Sequence, residues 1–360
     1  MRGATVRVDG RTVVNWCSND YLGLSAHPAL ADAAAGAAAS WGVGARASRL
    51  LAGSTALHDR LEQALAAWFG AARGIVYSSG YLANLGILGA VLGPKDLVVV
   101  DRLAHASLVD AARASRARLR VFRHNDPEHL AAVLARSGKA RRRLVVTEGL
   151  FSMDGDQAPL RELLSAADAH GAILYVDDAH GAFALGPTGR GTPEACRVPH
   201  SRLLYFGTLG KALGCQGGFL VGPAPLIEYL HNRSRTFIYS TALSVPVVAA
   251  SLAALTIVSR EPERRARLWQ RVRQLAGHAA PPWTGEASYI LPVMAGTAER
   301  AGQWAAALWR RGAWAPAIRP PTVPRGTARL RISVTAAHTA SHVDALGRAL
   351  ARLQRRGSDA

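Results

Sequence analysis

Ile173-Leu174-Tyr175-Val176-Asp177-Asp178-Ala179-His180-Gly181 reads as a short apolar strand that ends on two carboxylates and an imidazole. A run that is apolar throughout, instead of alternating, belongs to a strand covered on both faces, and ligands of open α/β sheets sit just past the carboxyl ends of such strands. Working outward, residues 57–258 alternate short β-branched runs with longer amphipathic stretches, as when helices cover both faces of a mostly parallel sheet. Besides 173–176, the pattern predicts strands at 74–77, 97–100, 119–122, 144–147, 203–206 and 218–221. The predicted class is α/β: a large, mostly parallel sheet domain followed by a smaller C-terminal α/β domain.

The strand predicted at 203–206 runs into Phe206-Gly207-Thr208-Leu209-Gly210-Lys211-Ala212-Leu213-Gly214. Lys211 supplies an amine that can form a Schiff base, and Asp177 supplies an acid that can hold a pyridine nitrogen protonated. Together they are the polar minimum for pyridoxal 5'-phosphate chemistry. An anion beside the ring nitrogen raises its pKa, so the ring stays cationic and draws electrons from a substrate carbanion. Glycines flanking Lys211 let backbone pass close to a cofactor, and the Thr208 hydroxyl can donate to a phosphate.

Each residue alone has a plainer reading: a lysine among glycines as a solvated loop, an acid after a strand as a helix cap. A Walker-type loop needs glycine six positions before the lysine and Ser or Thr after it, where this chain has Tyr205 and Ala212. Asp177, Asp178 and His180 also invite a metal, but successive strand residues point to opposite faces and no second histidine cluster accompanies them; no metal is predicted. Gly42-Val43-Gly44-Ala45-Arg46-Ala47 mimics a dinucleotide fingerprint, yet it follows a helical stretch instead of a strand and is read as a loop.

At 360 residues the chain can bury a large core and divide into one big and one smaller domain. The expected division is an N-terminal segment at 1–40, a cofactor-binding domain at 41–258 and a small domain at 259–360. The net charge of +18 raises the question of nucleic acid, but the arginines are scattered through alanine-rich helical stretches without interleaved aromatics, so no nucleic-acid partner is predicted. Such a field concentrates anionic substrates. Cys17, Cys196 and Cys215 form no CxxC pair and suit a reducing compartment.

Residues 236–259 carry no charge and are long enough to cross a bilayer, but Pro246, several Ser and Thr residues and the run Tyr239-Ser240-Thr241 predict a buried core or interface helix. The N-terminus shows no signal-peptide pattern, and the expectation is a cytoplasmic protein without a membrane segment. Beyond Ser259 the sequence predicts a charged helix at 262–276, a break at Pro281-Pro282, strands at 288–293 and 328–334, and helices at 299–311 and 341–354.

Further segments join the Asp177 and Lys211 runs in order: Ser18-Asn19-Asp20-Tyr21-Leu22-Gly23-Leu24, Ser79-Gly80-Tyr81-Leu82-Ala83-Asn84, Asp101-Arg102-Leu103-Ala104-His105-Ala106-Ser107 and Thr147-Glu148-Gly149-Leu150-Phe151-Ser152-Met153-Asp154-Gly155-Asp156. From Asn15 to the last helix, the chain resembles the α-oxoamine synthases, fold type I pyridoxal-phosphate transferases that join an amino acid to an acyl thioester and release carbon dioxide. Ile318-Arg319-Pro320-Pro321-Thr322-Val323-Pro324, with Gly326-Thr327-Ala328-Arg329-Leu330-Arg331 and Thr335-Ala336-Ala337-His338, is similar to the branch of biotin biosynthesis more than to the aminolevulinate, sphingoid-base or glycine acetyltransferase branches.

The resemblance implies that L-alanine and a pimeloyl thioester, on coenzyme A or acyl carrier protein, are the substrates of a homodimer. It implies that Lys211 bonds the cofactor and moves protons at the α-carbon, that Asp177 pairs with the pyridinium and that His105 stacks on the ring. His180 and Ser152 would bond the phenolic oxygen, with His180 also polarising the new ketone. The Gly80 and Tyr81 amides with Thr208 would hold the phosphate, Arg331 would clamp the alanine carboxylate, and Asn19 and Arg319 would sit with the substrate. Two alternatives stand beside this one: a sister enzyme using glycine or another amino acid, and a non-catalytic dimerising subunit. Relatives carry an N-terminal segment that can lend an arginine to acyl binding, and Arg2, Arg7 and Arg11 are not matched to it.

Overall fold

The computed structural model describes residues 3–278 and 288–357, so Arg2 and the break expected at Pro281-Pro282 lie outside the described residues. The chain forms two compact units, one of His27–Phe151 with Gln157–Arg260, the other of Met1–Ala26, Ser152–Asp156 and Glu261–Ala360. The segment expected to stand apart at 1–40 is divided between them. Its strands Thr5–Val8 and Arg11–Asn15 pair with each other and with Ala313–Trp314, while its helix Pro28–Trp41 packs on Val245–Arg260.

The larger unit is built on seven strands: β1 (Arg73–Tyr77), β2 (Leu97–Asp101), β3 (Arg118–Phe122), β4 (Arg143–Glu148), β5 (Ile173–Asp177), β6 (Leu204–Thr208) and β7 (Gly218–Gly222). Their order is β1-β7-β6-β5-β4-β2-β3. Every neighbouring pair from β6 to β3 is parallel, and β7 alone runs against both of its neighbours. The apolar strands bury both faces, because alternate residues feed two cores: Tyr175 of β5 enters one with Val98, Ile87 and Phe206, and Leu174 and Val176 enter the other with Val99, Val145 and Leu163. Each such side chain contributes about 1.5–3 kcal/mol by leaving water. Helices Gly80–Val91 and Ala106–Ala114 cover the first face, Pro127–Arg136 and Leu160–Ala169 the second. The edge strand β1 is blunted by Glu62, whose carboxylate accepts the Val76 N–H at 2.9 Å and is itself gripped by Arg49.

The uncharged stretch 236–259 is not one helix. A short turn at Arg235–Ile238 stops, and a helix restarts at Val245–Arg260 with Pro246 as its second residue, where a missing N–H costs nothing. That helix packs against Pro28–Trp41 and Ala56–Phe69. Among the described residues no single helix is long and apolar enough to cross a membrane. The fingerprint-like glycines at 42 and 44 lie in loop.

In the smaller unit, Ile290–Gly296, Ala328–Ser333 and Ala317–Ile318 form an antiparallel sheet, accompanied by helices Glu263–His278, Ala298–Arg310 and Ala340–Gly357. His338 stacks on Trp16 at 3.8 Å, accepts the Thr335 N–H on Nδ1 and donates from Nε2 to the Asn15 carbonyl. Burial lowers its pKa to about 3, so it is a neutral packing histidine.

Candidate active site

At the carboxyl ends of β4, β5 and β6 the larger unit encloses a cavity of about 220 Å³. Lys211, Asp177, His105, His180, Thr208, Gly80 and Tyr81, seven of the residues singled out in the sequence, line it together. Asp177 is the last residue of β5 and is 5% exposed. Its carboxylate accepts from Asn84 Nδ2 at 2.8 Å and from the Ala179 N–H at 3.0 Å. Burial pushes the acid up; the Lys211 amine, the Asn84 and Ala179 hydrogen bonds and His105 oppose it.

His105 caps the helix Ala106–Ala114, and its backbone N–H donates to Glu148 Oε1 at 2.7 Å. Partial burial holds its imidazole below the ordinary value against the pull of Asp177, with the Lys211 amine adding to the depression. Lys211 stands on a turn closed by Gly214 N–H to its carbonyl, just beyond β6. Asp178, by contrast, faces away: its carboxylate is taken up by Thr192 and Tyr205.

The opposite wall is the start of helix Gly80–Val91. Ser79 caps Leu82 N–H, and among the described residues the N–H groups of Gly80 and Tyr81 take no protein acceptor, a ready anion cradle. A Cβ on Gly80 would stand 3.4 Å from the Phe206 ring and 3.8 Å from Thr208 Oγ1. Gly218 of β7 lets this helix start approach the sheet, since a Cβ there would come within 2.7 Å of Gly80 Cα. Thr208 differs from expectation in one respect: its hydroxyl donates to the Gly217 carbonyl at 2.7 Å, so giving that proton to a phosphate requires the side chain to turn. The Tyr81 hydroxyl bonds Asp110, leaving its backbone for the cradle. An amine, a buried anion and a helix N-terminus around one small cavity fit the aldehyde, cationic ring and phosphate of pyridoxal phosphate.

The remaining candidates belong to the smaller unit. Arg331, 5% exposed, donates from Nε to the Ser152 carbonyl, from Nη1 to Ser333 Oγ at 2.8 Å and from Nη2 to Asn19 Oδ1 at 3.1 Å. Among the described residues all its partners are neutral oxygens, and a buried guanidinium without a carboxylate suits an anionic ligand. Arg319 is exposed, and its carbonyl accepts the Thr322 N–H.

Asn84 and Glu148 are among the cavity residues that received no role from the sequence. Asn84 lies four positions after Gly80, one turn along the same helix face, and that spacing was the available signal. Glu148, 3% exposed, is the register partner of Asp177 across β4 and β5. Burial, then the Asp177 carboxylate, push it well above the usual carboxylate range.

Comparison with known proteins agrees with this geometry. The family described as aminotransferase class I and II matches residues 11–350. An 8-amino-7-oxononanoate synthase of Anaeromyxobacter dehalogenans is 51% identical over 353 residues, covering 97% of this chain and 88% of that protein. Among solved structures, a serine palmitoyltransferase variant from S. paucimobilis with a bound PLP-myriocin aldimine is similar with a TM-score of 0.95 and 32% identity, over 100% of this chain and 92% of that one. The 8-amino-7-oxononanoate synthase of Francisella tularensis is similar with a TM-score of 0.82 and 26% identity, over 96% and 98%.

Proposed function

The chain belongs to the aminotransferase class I and II family, and we propose that it condenses L-alanine with a pimeloyl thioester in a pyridoxal 5'-phosphate-dependent, decarboxylative reaction. The products are 8-amino-7-oxononanoate, carbon dioxide and the thiol carrier, a step of biotin biosynthesis. The observation that carries this reading is the convergence of Lys211, Asp177 and His105 on one cavity beside a helix N-terminus.

When bound, pyridoxal phosphate supplies an aldehyde that captures amines and a ring that draws electrons from the α-carbon of the amino acid attached to it. Lys211 Nζ would hold that aldehyde and would be the base that takes the α-proton of alanine and returns one. Asp177 would keep the ring nitrogen protonated, His105 would lie against the ring, and His180 would bond the phenolic oxygen and polarise the new ketone. The Gly80 and Tyr81 N–H groups and Thr208 would bind the phosphate. Arg331, oriented by Asn19, would bind the alanine carboxylate, Ser152 would serve the phenolic oxygen and Arg319 an acyl-chain or product carboxylate. The same reading has the chain working in the cytoplasm as a homodimer, supported by the exposed apolar side chains of Val43, Leu51 and Tyr239, and a mass measurement in solution tests the dimer.

Mass analysis of the product from L-alanine and pimeloyl-CoA or pimeloyl-acyl carrier protein tests the substrates. The likeness to serine palmitoyltransferase favours a sister enzyme as the second reading. Thiol release with another amino acid and acyl thioester, and none with alanine and pimeloyl donors, would move the assignment there. Lys211→Ala should lower turnover at least about a thousandfold and abolish the visible absorbance of the loaded protein. A variant retaining both would remove Lys211 from its role.

A further inference from the structure

We propose that Asn84 is a positioning residue that orients Asp177 and, through Ser107, fixes His105 as the tautomer carrying its proton on Nε2. The inference deepens the function proposed above and rests on Asp177 and His105 being the partners of the cofactor ring.

The direction of every bond in the cluster follows from donor and acceptor capacity. A carboxylate only accepts, so the Asn84 atom 2.8 Å from Asp177 Oδ2 must be the amide nitrogen. The amide oxygen then faces the Tyr175 hydroxyl at 2.6 Å, which must donate. The second Asn84 N–H points at Ser107 Oγ, 2.9 Å away. Ser107 Oγ, having accepted there, turns its own hydrogen to His105 Nδ1 at 2.8 Å, and the Ser107 backbone N–H reaches the same nitrogen at 3.2 Å. With two donors aimed at it, Nδ1 cannot carry a proton, and the neutral ring bears its hydrogen on Nε2.

Tyr175, Asn84 and Ser107 are at most 1% exposed, so water does not compete with these bonds. Asn84 spends its oxygen and both amide hydrogens in the cluster, and neither aspartate nor leucine, of similar shape, reproduces that set. Besides the ring, His105 is tied through its backbone N–H to Glu148, so its placement is set from two sides. The ring that covers the cofactor and the acid that charges it are thereby held by one amide.

The test uses the full chain with 15N-labelled histidine, with and without pyridoxal phosphate, the His105 signal being identified by its loss in His105→Gln. The wild-type protein should show Nδ1 unprotonated and Nε2 protonated. Ser107→Ala should shift the tautomer ratio about fivefold or more toward Nδ1–H, a change that loss of packing alone would not produce. Asn84→Ala should raise the dissociation constant of pyridoxal phosphate about tenfold. Tyr175→Phe, which keeps every ring carbon, should raise it about threefold and decides the matter if Asn84→Ala fails to fold. An unchanged tautomer in Ser107→Ala overturns the proposal, as does a dissociation constant within twofold of wild type in the folded variants. Because the tautomer is readable without cofactor, it can fail while the Lys211→Ala result stands, and the reverse.

Discussion

Asp177 and Asp178 are adjacent, identical and both buried, yet the two sides of the sheet they serve treat them in opposite ways. Asp177 opens on a cavity, and among the described residues two groups donate to its carboxylate, the Asn84 amide and the Ala179 N–H. Asp178 is sealed: Thr192 N–H and hydroxyl and the Tyr205 hydroxyl donate to it at 2.8, 2.6 and 2.8 Å. The wall around it is so close that a Cβ on Gly149 or Gly181 would fall 2.3 or 2.2 Å from its Oδ1. Burial pushes Asp178 up to about 7, with the Thr192 and Tyr205 hydrogen bonds resisting. A perturbed, buried acid is therefore no signature of chemistry on its own; what separates the two is whether room and an incomplete donor set are left for a ligand.

The contrast predicts opposite phenotypes for matched substitutions. Asp177→Asn keeps the shape and removes the anion, so turnover should drop about a hundredfold or more while the melting temperature stays close to wild type. Steady-state kinetics beside a thermal melt checks this, and a variant with wild-type turnover would erase the distinction. Asp178→Ala should do the reverse, orphaning three buried donors and costing about 3 kcal/mol or more of stability by denaturant titration, with the surviving folded protein still active.

The smallest effect sharpens the comparison most. The folded pKa of Asp178 lies above its ordinary 3.8, at about 7, so the folded state holds the proton more tightly than the unfolded one. Its contribution to stability is complete below about pH 4 and is lost as pH rises through about 7. Asp178→Asn, whose amide the Thr192 hydroxyl can accept by turning, should flatten that part of the stability profile. An unaltered slope in the variant would assign the pH dependence to another group.

The large sheet was legible because its strands are uninterrupted β-branched runs, and β1 to β7 each overlap a predicted segment to within two residues at either end. Candidate residues near strand ends stood out for the same reason: Asp177 and Lys211 lie where an apolar run stops. Glu148 did not, because its meaning depends on register with a strand some 25 residues away that no local pattern encodes. Asn84 was quoted but given no task, since its three partners come from two distant segments, Tyr175 and Asp177 on β5 and Ser107 beside His105. The broken helix at 236–259 escaped because an uncharged run carries no amphipathic period in which a break could show. Placement of Arg11–Asn15 beside Ala313–Trp314 likewise depends on a pairing about 300 residues distant.

The solitary reversed strand β7 has a consequence for the birth of the protein. β1 can pair only with β7, about 140 residues further along, and Gly218 of β7 seats the helix start that bears Gly80. At ribosomal speeds of about 5–20 residues per second, β1 and the start of helix Gly80–Val91 await their partner for on the order of ten seconds after leaving the tunnel. The vitamin-derived coenzyme therefore has no seat on a nascent chain until the sheet is nearly finished, and premature release leaves a bare β1 edge for chaperones to shield.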